Sequence, residues 1–141
     1  MAAELDDDVR SLFRGANFGH VATLMPSGAP HSVAVWVGLE GGRIAFFTQP
    51  QSQKARNLAR DPRVAISITD HDKPYRSARI RGRVTETLEG DAALEVIDRL
   101  SQRYTGQSFP MRSGVVFLVE PNRVGFMELP FEDRPVGRER G

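Results

Sequence analysis

Residues 46–62 read FFTQPQSQKARNLARDP, a stretch that predicts a strand, a short polar loop and then a helix. Ser52 is a typical N-cap residue, because its side-chain oxygen can accept a hydrogen bond from the first helical turn. Ala55, Leu58 and Ala59 are expected on one apolar face of the helix. The stretch therefore predicts a strand joined closely to an amphipathic helix that packs on a core.

The charge at the start of this helix is unusual. A helix N-terminus carries partial positive charge and favours Asp or Glu. Here Lys54 and Arg56 follow the cap, and residues 42–59 contain no acidic side chain. The Ser52 hydroxyl and the free N–H groups of Gln53 and Lys54 would converge on one point, and the Lys54 ammonium would add a full charge, an arrangement that binds phosphate. A Ser-capped surface helix with solvated cations is the alternative interpretation.

The composition limits the class of protein. A chain of 141 residues with 40% hydrophobic content fits one domain, residues 1–141, with a charged tail from about 130. The net charge of +1 argues against bulk binding to nucleic acid. The absence of cysteine excludes disulfides and thiolate chemistry. The apolar runs are too short to cross a membrane and the N-terminus is acidic, so we expect a cytoplasmic protein.

The rest of the chain predicts several short strands and two more helices. Helical spacing covers residues 5–13, with Gly15 as a stop, and residues 91–104. Connections of hairpin length cannot make parallel crossovers, so the strands predict a mainly β antiparallel barrel with flanking helices. The strand-forming runs are GHVATL, APHSVAVWV, RIAFFT, RVAISIT, RSARIRGRVTET, VVFLVEP and RVGFMEL.

Three segments, one after another along the chain but not adjoining, carry a family resemblance. They are Ser32-Val33-Ala34-Val35-Trp36-Val37, Phe46-Phe47-Thr48 and Ser52-Gln53-Lys54. Their order resembles the pyridoxamine 5'-phosphate oxidase-like split-barrel flavoproteins, and RNLARDPRVAISITD is similar to the branch that uses the deazaflavin coenzyme F420. The likeness extends over about residues 12–129. It implies an FMN-binding type of split β-barrel and a homodimer with a cofactor between the subunits.

The resemblance also implies an activity and a set of contacts. We expect an oxidoreductase that transfers a hydride from reduced F420 to a small conjugated acceptor, with an FMN enzyme or a non-catalytic cofactor carrier as alternatives. Residues 32–37 are expected along the tricyclic ring, and the segments around Thr48 and Lys54 at the ribityl chain and phosphate. The implied cofactor-binding residues are Ser32, Val33, Ala34, Val35, Trp36, Val37, Phe47, Thr48, Ser52, Gln53, Lys54, Ser77, Arg79 and Met127.

Two departures from the family pattern bear on the cofactor and the substrate, and the first of them weakens the FMN interpretation. Pyridoxamine 5'-phosphate oxidases carry cations at the positions of Ser32, Val37 and Gln53, which are neutral here. The C-terminal PFEDRPVGRERG also contains no histidine, unlike the substrate motif of those enzymes. Synthesis of pyridoxal phosphate is therefore not expected.

Arg79, Arg81 and Arg83 recur at a spacing of two, which places all three side chains on one face of a strand. One interpretation is a solvated sheet face. The other is a binding strip for the anionic oligoglutamate tail of F420.

No catalytic acid, base or metal site is predicted. The three histidines are isolated and none has a partner at metal-ligand spacing. His31 is a weak candidate donor to the substrate, while Tyr75, solvent or the substrate itself are alternative proton sources. Hydride transfer requires no protein nucleophile, because the cofactor supplies the reactive atom.

Overall fold

The structure is a computed structural model that describes residues 2–131. Most of the charged tail predicted from about residue 130 lies outside the described residues. The helices and strands, in chain order, are α1 (Asp7–Arg14), β1 (Phe18–Leu24), β2 (Pro30–Glu40), β3 (Arg43–Thr48), α2 (Gln53–Arg60), β4 (Arg63–Thr69), β5 (Arg76–Leu88), α3 (Gly90–Thr105) and β6 (Val115–Glu128).

The described strands form a closed barrel in the order β1-β2-β3-β6-β5-β4. Every pair of neighbours in this barrel is antiparallel. Alternating Val and Ile side chains point inward, as expected for strands with one buried face. The prediction of a mainly β, antiparallel barrel with flanking helices is confirmed.

Two helices add side chains to the barrel core. In α1 the carboxylate of Asp6 caps the helix by accepting from the Val9 N–H at 3.0 Å, and Phe13 is fully buried in the core. In α2, Ala55 and Leu58 pack against the same core. Ala59, expected on this buried face, is exposed instead.

The third helix packs on the outside of the barrel. Ile97 and Leu100 of α3 contact Ala45 of β3 and Val116 and Leu118 of β6, and these residues form a second apolar cluster. Because α3 covers only this side, most of the outer surface of β1, β2, β4 and β5 carries no helix.

The runs VVFLVEP and RVGFMEL, written as separate strands from the sequence, are one strand, β6. Gly82 pairs with Pro121 and Arg81 pairs with Arg123. Asn122, between these two partners, is therefore an extra residue on β6 and makes a bulge. A side chain at position 82 would overlap the carbonyl oxygen of Glu120, so glycine is required at this close approach. The bulge keeps β6 continuous while changing which of its residues face outward.

Candidate functional site

One edge of β2 is open along half its length. Among the described strands, β1 pairs with residues 30–36 of β2, whereas β3 pairs with β2 only from Val37 to Glu40. Along residues 30–36 the second edge therefore presents backbone N–H and C=O groups without a strand partner. This opening is the split in the barrel wall, and it offers backbone hydrogen bonds to a ligand.

The N-terminus of α2 lies beside this edge and is built around Ser52. The Ser52 hydroxyl accepts hydrogen bonds from the Ala55 N–H at 3.2 Å and from the Thr48 hydroxyl at 2.9 Å. Within the described chain its own hydrogen is directed to no protein acceptor. The N–H groups of Gln53 and Lys54, at the first two helical positions, have no intrahelical acceptor. We call this cluster of donors the cradle.

Two polar side chains near the cradle are engaged elsewhere. Gln53 Nε2 donates to Asn57 Oδ1 at 2.8 Å, and Gln53 Oε1 accepts from Arg56 at 2.6 Å. Arg56 also donates to the Gln51 carbonyl at 2.7 Å. Gln53 can therefore contribute its backbone N–H to an anion, while its side chain is held along the helix.

Lys54 supplies the cationic side chain of the cradle. It is half-buried, and burial lowers the pKa of its ammonium group because desolvation disfavours the charged form. No Asp or Glu in the described chain forms an ion pair with Lys54. An anion placed here would stabilise the charged ammonium group, which burial destabilises.

Lys54 lines a cavity of about 240 Å³, the cradle cavity, whose walls are mostly aromatic. The Trp36 ring meets Phe47 edge-on at 5.9 Å, and Phe47 meets Phe109 edge-on at 5.1 Å. Phe18 completes the wall and is 56% exposed. The cavity combines flat apolar surfaces with one cation, a combination suited to a planar ring that carries an anionic group.

Tyr104 of α3 fixes the position of Trp36. The two rings stack with centroids 5.2 Å apart and planes 9° from parallel. The Tyr104 hydroxyl accepts from the Val37 N–H at 3.1 Å and donates to the Asn17 carbonyl. Burial raises the pKa of Tyr104, so the phenol stays protonated and able to donate.

The residues assigned to the ring from the sequence divide between two faces of β2. Ser32 and Ala34 are exposed on the outer face, and Trp36 is half-buried there. The side chains of Val33, Val35 and Val37 pack in the barrel core, so those three residues can meet a ligand only through their backbone. His31 alternates with Ser32 and shares this inward face, and its Nδ1 is buried without a hydrogen-bond partner among the described residues.

A second cavity, of about 490 Å³, crosses the outer face from β2 to β6. Its floor consists of small side chains, and none of the Asp or Glu residues that the structure describes lines it. We call it the arginine groove; the polar side chains that line it are His20, Ser32, Ser67, Arg79, Arg81 and Arg123.

The strand register explains the path of the groove. One row of direct cross-strand neighbours runs from Ala34 through His20 and Ser67 to Arg79 and Gly125. A parallel row joins Ser32 to Arg81 and Arg123 through two alanines. Ala34 lines the cradle cavity and is paired with His20 of the arginine groove, so the two cavities adjoin.

The arginines that line the groove are not the same three that the sequence predicts. Arg79, Arg81 and Arg83 do share the outer face of β5, but Arg83 lies opposite Arg63 and Glu120 and does not line the groove. The bulge in β6 brings Arg123 opposite Arg81 instead. Arg123 could be found only from the register of β5 and β6.

The remaining predicted contacts lie on β5 and β6. Ser77 and Met127 are directly paired across these strands, two residues along from Arg79. Neither lines the cradle cavity or the arginine groove, so within one chain they are separate from the cradle. Tyr75 packs against Phe131 and lines neither cavity.

Phe18, Phe109 and His20 were not identified from the sequence as site residues. Phe109 follows α3 in the chain and reaches the cavity only because α3 folds back over β2 and β3. In residues 2–131, no group of three His, Asp or Glu side chains could hold a metal ion. The same residues contain no helix of the length and apolarity needed to cross a membrane.

Known structures share this fold. An F420 reductase is 28% identical with a TM-score of 0.75, and the alignment covers 86% of this chain and 98% of that one. A conserved hypothetical protein, Rv2991 from Mycobacterium tuberculosis, is 26% identical with a TM-score of 0.77, covering 96% and 95% of the two chains. General Stress Protein 26 from Bacillus anthracis, at 16% identity and a TM-score of 0.67, covers 91% and 97% and shares the fold.

The family model described as pyridoxamine 5'-phosphate oxidase matches residues 5–128. This match includes all six described strands, the open edge of β2 and the cradle at α2. The chain therefore belongs to the pyridoxamine 5'-phosphate oxidase family of split-barrel proteins.

Proposed function

We propose that this protein is an oxidoreductase that binds reduced coenzyme F420 and uses it to reduce a small conjugated acceptor. The observation that supports this most directly is the cradle at the start of α2, where Ser52 and two helix N–H groups surround the half-buried Lys54. The similarity to an F420 reductase adds support at the level of the cofactor.

The charge of the cradle favours F420 over FMN. The phosphate of FMN is a monoester with a charge of about −1.5 to −2 at neutral pH, by analogy with other phosphomonoesters. The phosphate of F420 is a diester and carries a single negative charge. Among residues 2–131, Lys54 is the one cationic side chain that lines the cradle cavity, since Gln53 is neutral and Val37 is buried in the core. One ammonium group matches the diester better.

The residues of the site fit the rest of such a cofactor. The open edge of β2 would hydrogen-bond the polar edge of a tricyclic ring, and Trp36 and Phe47 would form an apolar wall beside it. When bound, the deazaflavin supplies the hydride. The protein's contribution is to position the ring, to exclude water with its aromatic wall and to hold the phosphate.

We further propose that the working form is a homodimer with the cofactor between the subunits. The predicted contacts Ser77 and Met127 are paired across β5 and β6 and line neither the cradle cavity nor the arginine groove of their own chain. A second copy could bring these residues to the cradle of the first. Exposed apolar side chains, including Phe18 and Met127, are available for such an interface.

The test combines binding with turnover. Fluorescence titration of the purified protein with F420 and with FMN should show tighter binding of F420. A Kd for FMN more than about tenfold lower than that for F420, or about 1.4 kcal/mol, would contradict the cofactor assignment. Steady-state reduction of conjugated acceptors by reduced F420 then separates an enzyme from a carrier, because a carrier would bind F420 without turnover.

A further inference from the structure

We propose that the arginine groove binds carboxylate groups of the acceptor, so that the enzyme prefers planar conjugated acids as substrates. This inference rests on the proposed function and adds the substrate class. It depends on the arrangement of Arg79, Arg81 and Arg123 on the outer face.

The three guanidinium groups form a concentrated positive site. Arg81 and Arg123 are direct cross-strand partners, and like charges in that position destabilise a sheet. The Arg79 guanidinium lies against the backbone of Gly125, where an added Cβ would sit 2.7 Å from Arg79 Cζ. Among the described residues, none of the three arginines forms an ion pair. A bound anion would relieve this repulsion.

The groove also provides hydrogen-bond donors and space. His20, Ser32 and Ser67 lie in the same two rows as the arginines. The guanidinium fork is suited to bidentate binding of a carboxylate. A volume of about 490 Å³ is sufficient for a small molecule with several polar groups.

Within one chain, the position of the groove favours the acceptor over the coenzyme tail. The oligoglutamate tail of F420 is attached beyond its phosphate, so a phosphate at Lys54 places the start of the tail on the α2 side of β2. Arg79 lies on the other side, three strand spacings from β2 or about 14 Å. Between these two positions lies the outer face of β2, where the ring is proposed and an acceptor would have to approach.

The experiment uses trans,trans-muconate, a planar conjugated dicarboxylate, as the probe, and its neutral dimethyl ester as the control ligand. Isothermal titration would measure binding to the full-length protein and to Arg81→Ser, Arg123→Ser and Arg83→Ser. Arg83 is the matched control, because it shares the outer face of β5 but does not line the groove. Melting temperatures would verify that each variant is folded.

We expect Arg81→Ser and Arg123→Ser each to weaken muconate binding by about tenfold or more, as for a lost charge-assisted hydrogen bond. Arg83→Ser should leave the Kd within about twofold, and the effect of the groove variants should shrink at high salt. The proposal is wrong if muconate fails to bind the wild-type protein, if Arg83→Ser has the same effect, or if the diester shows the same dependence on Arg81.

A second measurement separates the two possible sources of carboxylate. Wild type and Arg81→Ser would be titrated with F420 carrying its full tail and with a form lacking the glutamates. If Arg81→Ser weakens only the long-tailed coenzyme and leaves muconate unaffected, the groove holds the tail and the proposal is overturned. Failure of the proposed function is distinct, since in that case neither coenzyme would bind while muconate still did.

Discussion

The Thr48 hydroxyl donates a hydrogen bond of 2.9 Å to the Ser52 hydroxyl, and this contact ties the end of β3 to the N-cap of α2. Thr48 is 9% exposed, so its hydroxyl orients the cap from inside the protein. Because Ser52 accepts from Thr48 and from Ala55, its own hydrogen can point outward to a ligand. Thr48, expected from the sequence as a direct contact to the ribityl chain or phosphate, is therefore also placed to orient Ser52.

Thr48→Val tests this role, because valine keeps the shape and removes the hydroxyl. We expect affinity for F420 to fall by about 0.5 to 1.5 kcal/mol, the usual net value of one hydrogen bond. Ser52→Ala should cost more affinity, and should also destabilise the protein by about 1 kcal/mol through loss of the cap. Fluorescence titration and thermal melting measure the two effects. Equal affinity in Thr48→Val and wild type would contradict the orienting role.

Lys54→Ala should weaken F420 binding by about 1.5 to 3 kcal/mol, because it removes the charge-assisted contact to the phosphate. Arg56→Ala is the control, since Arg56 is an exposed cation in the same turn that bonds to Gln51 and Gln53. The rise in melting temperature caused by saturating F420 should be smaller in Lys54→Ala and unchanged in Arg56→Ala. If F420 raises the melting temperature of Lys54→Ala as much as that of wild type, Lys54 does not bind the cofactor.

The stability of the cofactor-free protein should depend on pH through Lys54. Burial lowers the pKa of Lys54 from 10.5, so between the lowered value and 10.5 the unfolded chain binds more protons than the folded one. The stability of wild type relative to Lys54→Met should therefore rise with pH across that window. Chemical denaturation at several pH values up to 10 measures the difference. A difference that falls with pH would show that the folded state instead favours the charged ammonium.

The same shift predicts the pH dependence of F420 binding. Since the phosphate binds the charged form of Lys54, affinity should fall as pH rises through the lowered pKa of this residue. The dependence should disappear in Lys54→Met. Titrations of both proteins with F420 between neutral pH and pH 10 would measure this dependence. If the affinity of wild type and of Lys54→Met changes with pH in the same way, the dependence belongs to another group.

Tyr104→Phe should destabilise the protein by about 1 to 3 kcal/mol, because it leaves the Val37 N–H and the Asn17 carbonyl without their partner. The stack on Trp36 is retained, so the aromatic wall should survive and F420 affinity should change little. Denaturant unfolding and cofactor titration test the two parts separately. A large loss of affinity with unchanged stability would give Tyr104 a direct role in binding.

Several features of this protein follow from local sequence. Ser52 acts as the N-cap as expected, because capping needs only a short polar side chain at the right distance from the first turn. Arg79, Arg81 and Arg83 share a face because side chains alternate along any regular strand. The antiparallel arrangement follows from connections too short for parallel crossovers, and the first two segments of the family resemblance lie on β2 and β3.

Other features were decided only by tertiary structure. The open edge of β2 exists because β3 stops pairing with β2 at Val37 and continues to Thr48 paired only with β6. The arginine groove exists because five strands align small side chains between Ser32 and Arg123. Phe109 joins the cradle cavity because α3 packs across the barrel. These relationships depend on pairing register and helix packing between residues far apart in the chain, and a β-bulge changes them by one residue. Local periodicity determines which way each side chain of a strand points, whereas long-range register determines which side chains meet.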